Sequence, residues 1–178
     1  PIGIQIPNGF AITAEGYRLF RKENQLEKVL NDLFQSLDTE HFANLSYIGA
    51  AAREQILSAR IPQIIESEIK KAYHALSKQC ELTSLSVAVR SSATSEDLPS
   101  ASFAGQMQSF LNISGEDQLI DAVHHCFVSL FTDRAIKYRY DMGFQDLDIA
   151  ISVGIQQMVR SDKSSSGVAF TIDPDSGF

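Results

Sequence analysis

An arginine followed by a hydroxyl-rich segment is the feature of this 178-residue sequence best suited to chemistry. Arg90 ends a short alternating run, and small, hydroxylic or acidic residues follow it as far as position 100. A guanidinium offers a fixed fork of donors, and hydroxyls with backbone N–H groups, brought close by Gly105, suit a polyphosphate. The spacing is not that of a Walker A loop. The residues alone leave open an exposed serine-rich loop in which Arg90 pairs with Glu96 or Asp97.

A strand-like run from Asp148 to Val159 is the second candidate for a ligand-binding element. Its odd positions are bulky and apolar, whereas its even positions are small or polar, so one face would enter a core and the other would leave space. A ligand ring could lie against Gly154, with Gln156 offering amide donor and acceptor groups to a purine edge or a ribose. The same spacing also allows a helix to pack closely against the small residues.

Hydrophobic periodicity indicates which elements position these groups. It predicts a helical first part, about residues 13–80, and a sheet-containing second part, about residues 85–178. Thr13 and Thr132 are predicted helix caps. Gly167–Ile172 is predicted to pair in antiparallel fashion with the long strand, through a serine-rich turn. The sequence therefore predicts an α+β fold, with helices packed on a small, mainly antiparallel sheet.

The charge and hydropathy patterns exclude several classes of partner. Lys and Arg number 15 and Asp and Glu 22, so the net charge is −7. Because no basic run is present, neither nucleic acid nor an anionic membrane is expected as the main partner. No apolar stretch approaches the roughly 20 residues that cross a bilayer, and the start at Pro1 lacks a signal-peptide pattern, so a cytoplasmic location is predicted. Cys80 and Cys126 are predicted to be reduced, mostly buried thiols.

The remaining polar clusters are predicted to have structural roles. His124 and His125 are adjacent on a helix, about 100° apart around its axis, which does not suit one metal ion, so no metal site is predicted. Arg134, Lys137 and Arg139 lie within one helix and are predicted to form a solvated charged face.

The segment Val89–Gln106, which reads Val-Arg-Ser-Ser-Ala-Thr-Ser-Glu-Asp-Leu-Pro-Ser-Ala-Ser-Phe-Ala-Gly-Gln, closely resembles the phosphoenolpyruvate synthase and pyruvate phosphate dikinase family. The resemblance covers nearly all of the chain and implies that residues 1–178 are a partial N-terminal ATP-binding domain of ATP-grasp type. It continues in the same order through Pro7–Ala11, Ser129–Ala135, Tyr138–Arg139, Gln156–Asp162, Ser166–Val168 and Ser176–Phe178.

The resemblance implies binding of ATP with Mg²⁺ and transfer of the β-phosphoryl group to a histidine on a separate swivelling domain, with release of AMP and phosphate. The group would then pass to pyruvate, giving phosphoenolpyruvate. Arg90 resembles the arginine that contacts the ATP phosphates, Gly105 and Ser109 resemble positions that line the nucleotide, and Gln156 resembles a residue near the adenine. Relatives with another acceptor, rifampicin or glucan, and a non-catalytic nucleotide-binding module are the alternatives.

Departures from the family pattern concern groups that this chain does not contain. The family's phosphate-binding lysine would precede Pro1, and its metal ligands, its final arginine, the phosphohistidine and the pyruvate domain would follow Phe178. A chain that opens on Pro without Met is therefore expected to be a fragment, inactive alone and weak in ATP binding. The acceptor domain is expected in cis, and a homodimer of the full-length protein is left open.

Overall fold

The computed structural model of the protein describes residues 6–93, 97–98, 101–102, 108–144, 149–163, 165, 167 and 169–172. The described helices are α1 (Ala14–Glu23), α2 (Leu26–Gln35), α3 (Leu45–Ser58), α4 (Gln63–Gln79), α5 (Glu116–Ser129) and α6 (Asp133–Asp141), with a 3₁₀ turn at Ser161–Lys163. The described strands are β1 (Gly9–Ile12), β2 (Ser86–Ala93), β3 (Asp97–Leu98), β4 (Ala101–Ser102), β5 (Ser109–Ser114) and β6 (Ile151–Gln157). The predicted α+β class is confirmed.

A four-stranded sheet in the order β1-β6-β2-β5 is the framework of the fold. Each neighbouring pair in it is antiparallel. β3 and β4 form a separate two-stranded pair. Since β6 lies between β1 and β2, the first strand of the chain is joined to the rest of the sheet only through β6.

The two faces of the sheet differ as the alternation in β6 predicts. Ile151, Val153 and Ile155 are buried in the core, together with Val87 and Val89 of β2. Successive side chains of a strand point to opposite faces, so the intervening residues lie on the other face. Helices cover the apolar face, and the small and polar face forms the wall of the cleft described below.

A β-bulge in β5 keeps two apolar residues on the core face. Val87 pairs with Ile113 and Val89 with Phe110, so the register shifts by one residue between these pairs. Asn112 has a φ of 59°, in the left-handed region that asparagine tolerates better than most residues. As a result Phe110 and Ile113, three residues apart, both pack against the core.

Aromatic side chains of α1 and α5 form the centre of the core beneath the sheet. Tyr17, Phe20 and Phe127 are buried, and Phe127 lies 5.1 Å from both other rings, measured between ring centroids. Burial raises the pKa of Tyr17 to about 12. These contacts hold the helical first part of the chain against the helix that follows β5.

Local hydrogen bonds fix where several elements begin. Thr132 Oγ1 accepts a hydrogen bond from the Ala135 N–H at 3.2 Å, which confirms the predicted cap of α6. The buried Tyr73 hydroxyl donates to the Leu85 carbonyl oxygen at 2.6 Å and accepts from the Gly115 N–H at 3.0 Å. Tyr73 thereby ties α4 to the segments that precede β2 and α5. Thr13 occupies the N-cap position of α1 without a side-chain cap bond.

The predicted pairing of Gly167–Ile172 with the long strand is wrong. The described residues of that segment, 167 and 169–172, are in no strand. Both edges of β6 are already occupied, by β1 and by β2. The long strand is also shorter than predicted, since β6 spans Ile151–Gln157.

The predicted solvated face of α6 is wrong for Arg139. Its side chain is buried, and its guanidinium lies 5.9 Å and 5.5 Å from the ring centroids of Phe34 and Phe131. Burial lowers the pKa of Arg139 to about 10. Arg134 and Lys137 are exposed, as predicted. The apolar rings stabilise the buried cation through cation–π contacts.

Both cysteines are free, as predicted. Cys126 is buried, which raises the pKa of its thiol to about 12. Cys80, at the end of α4, donates from Sγ to Gln157 Oε1 at 3.3 Å.

His124 is expected to make the stability of the protein depend on pH. Its Nε2 donates to the Ile56 carbonyl oxygen at 2.7 Å, and burial lowers its pKa below the usual 6.5. The unfolded state therefore binds more protons, so the free energy of unfolding should fall as the pH drops through about 6.5 and level off below the folded pKa. Urea denaturation between about pH 8 and pH 5 measures this.

The variant His124→Gln should show a smaller fall in unfolding free energy over the same pH interval. His41→Gln is the control for loss of a histidine, since His41 is exposed on the loop after α2. Equal pH slopes for the wild type and His124→Gln would contradict the prediction.

Candidate functional site

An open cleft of about 730 Å³ lies on the polar face of the sheet. Its walls come from β1, β2 and β6 and from the residues just before β1. The polar side chains that face it are those of Arg90, Ser92, Ser152 and Gln156. The small residues Gly9, Ala11 and Gly154 form its floor. The alternative of a helix packed on the small residues of β6 is therefore not found among the described residues.

Arg90 lies at the centre of this face. In the register of the sheet it stands between Gly154 of β6 and Ser109 of β5. Its side chain is exposed. None of the ion pairs between described side chains involves Arg90. The side chains of Glu96 and Asp97 lie outside the described residues, so their pairing with Arg90 stays a prediction.

Gln156 is held at one end of the cleft by the segment before β1. Its Nε2 donates to the Pro7 carbonyl oxygen at 3.3 Å. This bond turns the amide toward the first residues of the chain and leaves Oε1, which accepts no hydrogen bond from the described residues, for a donor on a ligand. Gln156 stands opposite Gly9 in β1 and Ala88 in β2, so no bulky neighbour separates it from the cleft.

Hydroxyl groups line the other end of the cleft. Ser152 Oγ donates to the Ser92 carbonyl oxygen at 3.1 Å, and these residues are cross-strand partners. Ser91 pairs with the buried Val153 and so lies on the other face, where its Oγ donates to the Gln108 carbonyl oxygen at 3.4 Å. Because a hydroxyl rotates and the Ser152 bond is long, Ser152 can turn its hydrogen toward an anion in the cleft.

A smaller hollow of about 370 Å³ continues the cleft over β5. It shares Pro7, Arg90 and Gln156 with the larger cleft and adds Ser109. The fold thus brings together Arg90, Ser109 and Gln156, which the sequence singled out from separate parts of the chain. Gly105, the remaining predicted site residue, lies outside the described residues.

Sequence reasoning missed the contribution of β1 and of the segment before it. Pro7, Gly9 and Ala11 line the cleft because β1 pairs with β6, across more than 140 positions of sequence. No local pattern signals such a pairing, since strand order depends on contacts distant in sequence. The one local clue in the sequence is that the turn Pro7–Gly9 precedes a short apolar run.

The described residues offer no ready metal site. No group of three or more His, Cys, Asp and Glu side chains that could hold a metal ion occurs among them. The described lining of the cleft includes no carboxylate. Mg²⁺ prefers carboxylate and phosphate oxygens, so these residues do not fit it as protein ligands.

The site combines an exposed cation, several hydroxyls and an amide above a floor of small residues. Such a site suits an anionic ligand with a polar ring or sugar, the class to which nucleotides belong. The family model described as pyruvate phosphate dikinase, AMP/ATP-binding domain, matches residues 1–178. The chain belongs to this family.

Curated relatives are similar over the whole of this chain. The phosphoenolpyruvate synthase of Synechocystis sp. is 48% identical over 180 residues, covering 99% of this chain and 22% of the relative. That of Helicobacter pylori is 46% identical, covering 100% of this chain and 22% of the relative. The phosphoenolpyruvate synthase of Escherichia coli is 44% identical, and the match covers 99% of this chain and 22% of the relative. The chain thus spans about a fifth of the length of these relatives. Within the described residues, no helix is long and apolar enough to span a bilayer.

Proposed function

We propose that this chain is the ATP-binding portion of a phosphoenolpyruvate synthase. The full-length protein would convert pyruvate, ATP and water to phosphoenolpyruvate, AMP and phosphate, through a phosphohistidine on another domain. The observation that carries the proposal is the identity of 44–48% to curated phosphoenolpyruvate synthases over essentially the whole chain. We propose accordingly that residues 1–178 form part of an N-terminal ATP-binding domain of ATP-grasp type. A cytoplasmic location accompanies the proposal, since ATP is the substrate.

In this proposal Arg90 is the electrostatic clamp of the ATP phosphates. Phosphoryl transfer requires positioning and stabilisation of charge spread over phosphate oxygens, which a guanidinium provides in bidentate form. Arg90 stands in the middle of the cleft face with an exposed side chain, so a polyphosphate can reach it from solvent. The hydroxyls of Ser92 and Ser152 lie on the same face and supply further donors.

The nucleoside end is assigned to the side of the cleft near Gln156. The amide there has a free acceptor among the described residues and a fixed orientation, set by the bond to Pro7. Ser109 of β5 pairs with Arg90 of β2, which supports assigning its hydroxyl to the phosphate end of the ligand. Gly105 is assigned to the loop that covers them, a role that rests on the family resemblance alone.

Mg²⁺ would neutralise phosphate charge when bound with ATP. The described cleft residues include no carboxylate. On the family resemblance, the protein ligands of Mg²⁺ are proposed to lie outside this chain. The pyruvate site and the phosphohistidine are likewise assigned to other domains of the same polypeptide.

The test measures AMP formation by the full-length protein in the presence of ATP, Mg²⁺ and pyruvate. We expect AMP and phosphoenolpyruvate to form in equal amounts, and only when pyruvate is present. AMP formation that requires rifampicin or glucan instead of pyruvate would reassign the acceptor while keeping the ATP half-reaction. Calorimetric ATP binding without AMP formation from any acceptor would indicate a non-catalytic nucleotide-binding module. The isolated 178-residue polypeptide is expected to form no AMP.

A further inference from the structure

Two glycines in strands face the cleft, Gly9 in β1 and Gly154 in β6. Glycine in a strand interior weakens the strand, because it has no side chain to pack and more backbone freedom to lose. Each of these glycines therefore needs a physical reason. The space around the two positions shows that the reasons differ.

The fold itself requires Gly9. A Cβ atom at this position would overlap the Ile155 carbonyl oxygen and lie 3.1 Å from the Gln156 Cα atom. Both are backbone atoms of β6, the strand that pairs with β1, so they cannot move aside without disturbing the sheet. Gly9 is thus explained by the close approach of two strands.

The described fold does not require Gly154. A Cβ atom there would meet, within 4 Å and among the described residues, only the Arg90 carbonyl oxygen at 3.7 Å, an ordinary van der Waals distance. Gly154 is in regular antiparallel pairing with Ala11 on one side and Arg90 on the other. Its φ lies outside the left-handed region that would favour glycine. Alanine at position 154 would fit the described structure without strain.

The space over Gly154 lies at the centre of the cleft. Ser152 and Gln156 flank it along β6, and Arg90 flanks it across the sheet. A side chain at position 154 would project into the volume between the guanidinium and the amide. We propose that Gly154 is a specificity-determining residue, whose missing side chain lets the nucleotide lie directly on the backbone of β6. This inference rests on the proposed ATP-binding function.

The inference predicts that stability and affinity change in opposite directions at this position. Gly154→Ala should leave the melting temperature of the nucleotide-free protein unchanged or higher, because alanine restricts the unfolded chain. The same variant should raise the ATP dissociation constant by about tenfold, and Gly154→Val by about a hundredfold, since each added carbon occupies ligand space. A purely structural glycine would instead lose stability when replaced.

The experiment uses the full-length protein, with calorimetry for ATP affinity and thermal unfolding without nucleotide. Ser114→Thr is the matched control, because it adds one methyl group to β5 away from the residues that line the cleft. Gly9→Ala is the contrasting variant and should lower the melting temperature.

Two results would overturn the inference while leaving the proposed function intact: unchanged ATP affinity in both Gly154 variants, or a lower melting temperature for Gly154→Ala with no nucleotide present. Failure of the wild-type protein to bind ATP in the same assay would overturn the proposed function, and the inference with it. The control Ser114→Thr should match the wild type in affinity and melting temperature.

Discussion

Replacing Arg90 with alanine should lower pyruvate-dependent AMP formation by the full-length protein about a thousandfold or more. Loss of a single preorganised donor to developing charge costs about a hundred- to a thousandfold in rate, and an arginine fork supplies more than one donor. No other arginine or lysine faces the described part of the cleft, so no neighbour there can replace the lost charge. The measurement is the steady-state rate of AMP formation at saturating pyruvate, over a range of ATP concentrations.

The controls for this prediction separate charge from geometry and from stability. Arg90→Lys keeps the charge but loses the planar fork, so its activity should lie between those of the wild type and the alanine variant. Arg18→Ala removes an exposed arginine of α1 that is paired with Glu15 and lies outside the cleft, and it should be nearly as active as the wild type. Near-normal activity of Arg90→Ala would refute the proposed role of Arg90.

The face of β6 that forms the cleft could be predicted from the sequence, because alternation along one strand is a local property. Bulky residues at odd positions and small or polar ones at even positions assign each side chain to a face without knowledge of the partner strands. The buried odd positions confirm this assignment. The same local reasoning placed Arg90 at a strand from which it could reach a ligand.

The strands that flank β6 could not be predicted, because pairing depends on contacts far apart in sequence. The nearest apolar run, Gly167–Ile172, was the natural hairpin partner, since short connections are common. Instead β1, from the start of the chain, occupies one edge of β6 and β2 the other. Pro7 and Gly9 line the cleft because β1 pairs with β6. Sequence reasoning therefore found only part of the site.

Two further features could not be predicted from the sequence: the bulge in β5 and the burial of Arg139. A strict period of two would place Phe110 and Ile113 on opposite faces, whereas one extra residue at Asn112 puts both on the core face. Arg139 carries a charge in a helix rich in charged residues, so composition favours an exposed position. Its burial against Phe34 and Phe131 depends on helices that meet only in the folded chain.

Replacing Phe127 with alanine should cost about 3–5 kcal/mol of unfolding free energy, the range for large buried aromatic side chains. Phe127 is fully buried, with the rings of Tyr17 and Phe20 each 5.1 Å away, so its removal leaves a cavity at the junction of α1 and α5. Hydrogen exchange of peptides from these two helices, in the full-length protein, measures the change in opening free energy. Phe170→Ala is the control, because Phe170 is 68% exposed.

The same variant tests whether the two faces of the sheet act separately. Phe127 lies on the core side, whereas Arg90 faces the cleft, and β2 and β6 stand between them. At temperatures where Phe127→Ala remains folded, its ATP dissociation constant should therefore match that of the wild type, since the cleft residues keep their places on the strands. Arg90→Ala should show the reverse pattern, with weakened ATP binding at unchanged stability. If Phe127→Ala weakens ATP binding as much as Arg90→Ala does, the geometry of the cleft depends on core packing. That result would contradict the prediction that the two faces of the sheet act separately.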